Sequence, residues 1–168
     1  MNPPPNKGVV LGVDPGLATT GWGVVEKNKS APILKAFGAI LTSSSLPLPQ
    51  RLQQIHQDLL EIIDQFTPSV VAIEELFFAK FAVSIAATAQ ARGVILLCAS
   101  GRNVPVVEYN PRAVKMAMTG FGSASKFQIQ SMVQRQFSLK DLPRPDDAAD
   151  ALAIALCHIQ TRRELVPA

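Results

Sequence analysis

Acidic side chains stand at three places in this chain where an apolar segment begins or ends. They are Asp14, the pair Glu74-Glu75, and the group Asp146, Asp147 and Asp150. The last group lies directly ahead of Leu152, Ile154 and Leu156. A helix start accounts for two of its members: Asp146 can be the N-cap, and Asp147 can sit in the first turn, where the helix dipole favours a negative charge. Asp150 needs another reason. It lies three positions past Asp147, so the two share a face, and that face continues into the apolar Ile154 and Cys157. The run AADALAIALC is apolar nearly all round, which predicts a buried helix. A carboxylate there is costly unless a positive group holds it. No Lys or Arg occurs between Asp146 and His158. A divalent cation is the natural partner, and Mg²⁺ prefers carboxylate oxygens while keeping waters and substrate phosphates. Capping plus an ordinary ion pair is the competing explanation.

The elements that must position these groups read as follows. VVLGVD (9–14) is a buried strand stopped by Pro15-Gly16. TGWGVVEK (20–27) and ILKAFGAIL (33–41) are two more strands, separated by a hairpin turn over 28–32. After a Ser/Pro loop (42–49), Leu52, Ile55, Leu59, Ile62 and Phe66 recur at helical spacing, and Thr67-Pro68 ends that helix. SVVAIEE (69–75) is a strand, 79–100 an Ala-rich helix and VPVVEY (104–109) a strand. Asn110-Pro111 opens a short helix with Pro at its first position, Ser123–Gln128 opens another, and the aspartate group opens the last. The expected order is β-β-β-α-β-α-β-α-α. The first three strands form an antiparallel meander, and the later ones arrive by helical crossovers and run parallel to the first. The fold class is α/β: a mixed five-stranded sheet with helices on both faces.

In that arrangement Asp14 and the Glu74-Glu75 pair end neighbouring parallel strands, at the edge where open α/β sheets place their ligands. Strand alternation lets only one of Glu74 and Glu75 face a given side, and spacing does not choose between them. Carboxylates from three separated elements suit a two-metal phosphodiesterase site, with metals about 3.5–4 Å apart activating a water and stabilising the leaving oxygen.

Bulk properties agree with such a protein without requiring it. The 168 residues suit one domain, spanning 8–162 between a Pro-rich tail at 1–7 and a C-terminal tail at 163–168. At 48% hydrophobic and 17% charged the chain can bury a core, and its net charge of +3 permits a polyanionic partner. Cys98 and Cys157 each sit in an apolar run, so they read as small buried thiols of a reducing compartment rather than a disulfide. No Cys/His spacing fits zinc. The polar N-terminus is no signal peptide, and polar residues interrupt the longest apolar stretch. A soluble cytoplasmic protein is expected.

GVDPGLATTGWGVV (12–25), AIEELFFAK (72–80), QARGV (90–94), VVEYNPRAVKMAMTGFGSASK (106–126) and DDAADALAIAL (146–156) together resemble the RuvC family of bacterial Holliday-junction resolvases. The likeness runs in order from about residue 8 to residue 160. It implies an RNase H-like fold and a homodimeric, Mg²⁺-dependent endonuclease that nicks opposed strands of four-way junction DNA. Two Mg²⁺ per site are implied, with Mn²⁺ able to stand in, and RuvA and RuvB as branch-migration partners. The family's four acidic residues carry over onto Asp14, Glu74, Asp147 and Asp150, leaving Asp146 as an extra, capping residue. The resemblance also assigns Lys115 and Lys126 to phosphate and junction backbone, where lysine acts as a mobile point charge. Phe77 matches a position that stacks on bases at the crossover. Lys80 and Arg112 would extend a basic DNA-binding surface, and the helix after Glu74 would supply the dimer contact. Trp22 and His158 read as structural.

Three function classes compete on these residues. One is a junction endonuclease, or an RNase H-like nuclease of another specificity. Another is an actin-like or sugar-kinase phosphotransferase, which needs a second similar domain and further phosphate loops; the chain is too short for both and carries no G-x-x-x-x-G-K-[ST]. The third is a non-catalytic junction-binding module, which would have no reason to place carboxylates beside phosphate, because they repel DNA unless a metal is present.

Overall fold

The structure, a computed structural model, describes residues 6–76 and 82–161. Five strands form one sheet: β1 (Asn6–Asp14), β2 (Thr19–Glu26), β3 (Ile33–Leu41), β4 (Pro68–Glu74) and β5 (Val106–Tyr109). Their spatial order is β3-β2-β1-β4-β5, with β1–β2 and β2–β3 antiparallel and β1–β4 and β4–β5 parallel. This is the mixed sheet expected from the pattern. The helices are α1 (Leu48–Phe66), α2 (Ala82–Gly101), α3 (Pro111–Thr119), α4 (Lys126–Gln136) and α5 (Asp146–Thr161). Three helices follow β5, where the expected order holds two; each of the three helix starts in the sequence begins its own helix. The first strand also begins earlier than expected. Asn6 and Lys7, assigned to the tail, belong to β1, where the Asn6 amide donates to the Thr67 carbonyl at 2.8 Å. The rest of both proposed tails lies outside the described residues.

Strand alternation divides the core into two layers. Val9, Leu11, Val13, Val71 and Ile73 face α1 and α2, where they meet Ile55, Leu59, Ile95 and Cys98. Val10, Val25, Val70 and Ala72 face the other way, onto α3, α4 and α5. Helices therefore cover both faces. Trp22 belongs to the first layer, tilted against Phe66 with ring centroids 6.4 Å apart. Both cysteines are free and buried, and burial pushes each thiol up to about 11.

Helix α5 is buried along most of its length, from Ala148 through Cys157 apart from Asp150. It lies on β1 and β2 with almost no gap, because the sheet presents glycines beneath it. A Cβ built on Gly12 would stand 2.0 Å from the Ala151 carbonyl oxygen, and one on Gly21 would stand 2.0 Å from that of Asp147. A Cβ on Gly23 would meet the Leu152 side chain instead, 2.5 Å from its Cδ2. Gly12 pairs with Gly23, and Asp14 with Gly21, so a smooth patch continues to the strand end that carries Asp14. The small residues of α5 complete the close approach: Ala151 and Ala155 are the residues that meet Gly12.

Candidate active site

The register of β1 and β4 decides between the two glutamates. Gly12 pairs with Ala72 and Val13 with Ile73, which brings Asp14 level with Glu74 at the C-terminal strand ends. Val13 and Ile73 point to the α1/α2 layer, so Asp14 and Glu74, one residue on, point to the α5 side. Glu75 follows with the opposite parity, and its carboxylate accepts from the Asn110 side chain at 3.3 Å. Asn110 in turn caps α3 by accepting from the Arg112 amide at 3.0 Å.

Asp14, Glu74 and Asp150 line one cavity of about 360 Å³, together with Lys115, Lys126 and the apolar Val114, Ile129 and Ile154. Each carboxylate comes from a different element. Asp147 is not among the lining residues, but it lies near enough that its charge acts on Asp14. Burial first, and then the charges of Glu74, Asp150 and Asp147, push the Asp14 carboxyl up to about 8. Burial and the Asp150 charge also raise Glu74, opposed by Lys115 and Lys126. Burial raises Asp150, opposed mainly by Lys126. Crowded, half-buried carboxylates of this kind favour any added positive charge.

Lys126 supplies such a charge, which corrects one expectation. The absence of Lys or Arg between Asp146 and His158 predicts no protein cation beside Asp150. The partner comes from α4 instead. The Lys126 ammonium donates to Asp146 at 3.0 Å and stands 3.5 Å from Asp150. The pair with Asp146 lowers that carboxyl and raises the lysine. Asp146 itself is the first residue of α5 rather than the cap preceding it. Lys126 is fixed by a capping box, in which Ser125 accepts from the Gln128 amide at 3.3 Å and the Gln128 side chain accepts from the Ser125 amide at 2.8 Å.

Among the other expected DNA contacts, Lys115 lines the cavity. Arg112 is exposed on the first turn of α3, its stem lying where a Cβ on Gly122 would come. Phe77 and Lys80 lie outside the described residues. The His158 Nδ1 is 2.7 Å from the Tyr109 hydroxyl. Two contributors escaped the sequence reading in these roles. Asp146 holds Lys126. Arg92, buried on α2, donates to the Glu74 carbonyl and pairs with Glu108 at 2.6 Å. An arginine inside an Ala-rich apolar helix was the available signal, because such a group is rarely buried without partners.

The carboxylate donors fit a hard divalent cation by their chemistry. As the side chains stand, no group of three or more His, Cys, Asp or Glu among the described residues has ion-holding geometry. The fold is that of the RNase H-like class, and it gathers carboxylates from a parallel strand pair and from a buried helix start into one cavity with two lysines.

Comparison with known proteins carries this to a family. The sequence pattern of the family Crossover junction endodeoxyribonuclease RuvC matches residues 10–158. The RuvC of Endomicrobium trichonymphae is 53% identical over 156 residues, covering 91% of this chain and 81% of that protein. That of Syntrophomonas wolfei is 45% identical over 154 residues, covering 92% and 90%. T. thermophilus RuvC, solved in complex with Holliday junction substrate, superposes with a TM-score of 0.86 at 39% identity, covering 92% of this chain and 94% of that one. The chain belongs to the RuvC family of crossover junction endodeoxyribonucleases.

Proposed function

We propose that this chain resolves Holliday junctions during recombination and repair by nicking two opposed strands, leaving 5′-phosphate and 3′-hydroxyl ends. The observation that carries the reading is the meeting of Asp14, Glu74 and Asp150 in one cavity with Lys115 and Lys126. Asp14, Glu74, Asp147 and Asp150 would hold two Mg²⁺, with Mn²⁺ as a substitute. When bound, the ions supply Lewis acidity that lowers the pKa of an attacking water and stabilises the leaving oxygen. Asp14 and Glu74 face the substrate from a rigid sheet edge, and Asp150 does so from a buried helix, so none of the three donors rests on a mobile loop. Lys115 and Lys126 orient the phosphate at the cavity mouth, and Arg112, Lys80 and Phe77 extend the DNA contact. Val114, Ile129 and Ile154 add apolar side chains to the cavity lining and limit bulk water at the reacting phosphate.

Two such sites in a homodimer would address the two strands of a near-symmetric junction, a matching of two-fold axes. RuvA and RuvB are the partners that fit this role in the cytoplasm. No helix among the described residues is long and apolar enough to cross a membrane.

The test is cleavage of a synthetic four-way junction beside a linear duplex of the same sequence, in EDTA, Mg²⁺ and Mn²⁺, with wild type and Asp14→Asn. Paired nicks in the junction alone, dependent on metal and on Asp14, are expected. Tight junction binding without cleavage in any metal would overturn the catalytic reading. Equal cutting of both DNAs would remove the junction specificity.

A further inference from the structure

Asp146 is the one carboxylate of the α5 group that neither the fold nor the proposed metal set requires. It opens α5, lies outside the residues lining the cavity, and its side chain is 48% exposed. Yet it makes the shortest contact of the Lys126 ammonium, 3.0 Å against 3.5 Å to Asp150. The lysine starts from a fixed point. The Ser125–Gln128 capping box makes it the first residue of α4, where the helix dipole opposes a positive charge. Its flexible stem and three donors let the ammonium settle on whichever acceptor is nearest. The groups it faces are Asp146 and Asp150 directly, with Asp14 and Glu74 also feeling its charge.

The two acceptors are not equivalent. Asp150 is the more buried, at 27% side-chain exposure, and lines the cavity. An ammonium drawn fully onto it would take up the oxygens that a cation needs. Asp146 stands at the rim and draws the ammonium outward.

We propose that Asp146 is a positioning residue, holding the Lys126 ammonium at the cavity rim so that Asp150 remains available to a divalent cation while the lysine stays within reach of the phosphate. This rests on the proposal that Asp150 is a metal ligand. Removing Asp146 leaves Asp150 as the nearest carboxylate for Lys126, and lysine and metal then compete for the same oxygens. Removing Lys126 as well abolishes the competition, so the effect of Asp146 depends on the lysine. A simple loss of negative charge would not behave in this way.

The experiment is Mn²⁺ binding to the full-length protein without DNA, followed by the loss of the free-ion paramagnetic resonance signal. Wild type, Asp146→Asn, Asp146→Glu, Lys126→Ala and the double variant Asp146→Asn/Lys126→Ala are compared. Asp146→Asn is expected to weaken Mn²⁺ binding about three- to fivefold, the scale of an exposed ion pair. Asp146→Glu restores at least part of the affinity, and in the Lys126→Ala background Asp146→Asn has no further effect. Unchanged affinity in Asp146→Asn overturns the proposal, as does an equal loss with and without Lys126. No Mn²⁺ binding by wild type would instead bring down the metal reading on which the proposal stands.

Discussion

The guanidinium of Arg92 donates to the carbonyl oxygen of Glu74 at 2.5 Å, from the opposite side of the sheet to the Glu74 carboxylate. The same guanidinium pairs with Glu108 of β5, whose Cα is level with Ile73 of β4. One buried arginine thus ties the ends of two strands at the place where β4 delivers its acidic side chain. Arg92→Met should cost about 1–3 kcal/mol, because it leaves the Glu74 carbonyl without that donor. Arg92→Lys, which can keep only part of the fork, should fall between. Urea denaturation measures the stability, and junction cleavage by the folded variants should drop in the same order.

The contact between α5 and the sheet tolerates no side chain at two glycines. Gly12→Ala and Gly21→Ala each place a Cβ 2.0 Å from a backbone carbonyl oxygen of α5. Backbone cannot yield as a side-chain tip can, so each substitution should destabilise by more than about 3 kcal/mol. Gly93, exposed on α2 with nothing within 4 Å of its Cβ position, should behave oppositely. Gly93→Ala is expected to stabilise by about 0.5–1 kcal/mol through helix propensity alone. Thermal or urea unfolding of the three variants checks both directions.

Stability without metal should depend on pH through Asp14. Its carboxyl is raised from 3.8 to about 8, mainly by burial. Between those values the folded protein keeps a proton that the unfolded chain has released, so stability falls as pH rises. The stabilising contribution is complete below the unfolded value and gone above about 8. Glu74 and Asp150 are raised as well and act with the same sign. Unfolding in EDTA should show a loss on the order of a few kcal/mol across this window. Asp14→Asn should flatten the curve, and Mg²⁺ should favour the charged forms and reverse its slope.

Lys115 lines the cavity, and its charge opposes the rise of Glu74. Lys115→Ala should weaken junction binding at every sequence tested and lower the slope of log affinity against log salt by about one. Fluorescence anisotropy with labelled junction in EDTA across a salt series measures this apart from cleavage.

Asp14→Asn and Asp150→Asn should both remove cleavage while leaving junction binding intact or tighter, since each takes a negative charge away from phosphate. Gel shift in EDTA beside cleavage in Mg²⁺ separates the two. An Asp150→Asn variant that cuts normally would show that this carboxylate serves only as the partner of Lys126.

Much of this architecture was legible in the chain itself. Apolar runs ended by Pro, Gly or carboxylates marked the strands, because a buried strand needs only local hydrophobicity and a stop. The all-round apolar run after Asp150 marked α5 as buried, and that burial made its carboxylate conspicuous. What the sequence left open depended on distances between segments far apart in the chain. The choice of Glu74 over Glu75 follows from strand parity once β1 and β4 are in register. The partner of Asp150 is Lys126, twenty-four positions earlier, which no local window could connect to it. The glycines at 12, 21 and 23 read as strand residues, and the need for them to be glycine follows only from α5 resting on them. Local patterning determines what each segment becomes, but which charges meet is decided only when the sheet and α5 close on each other.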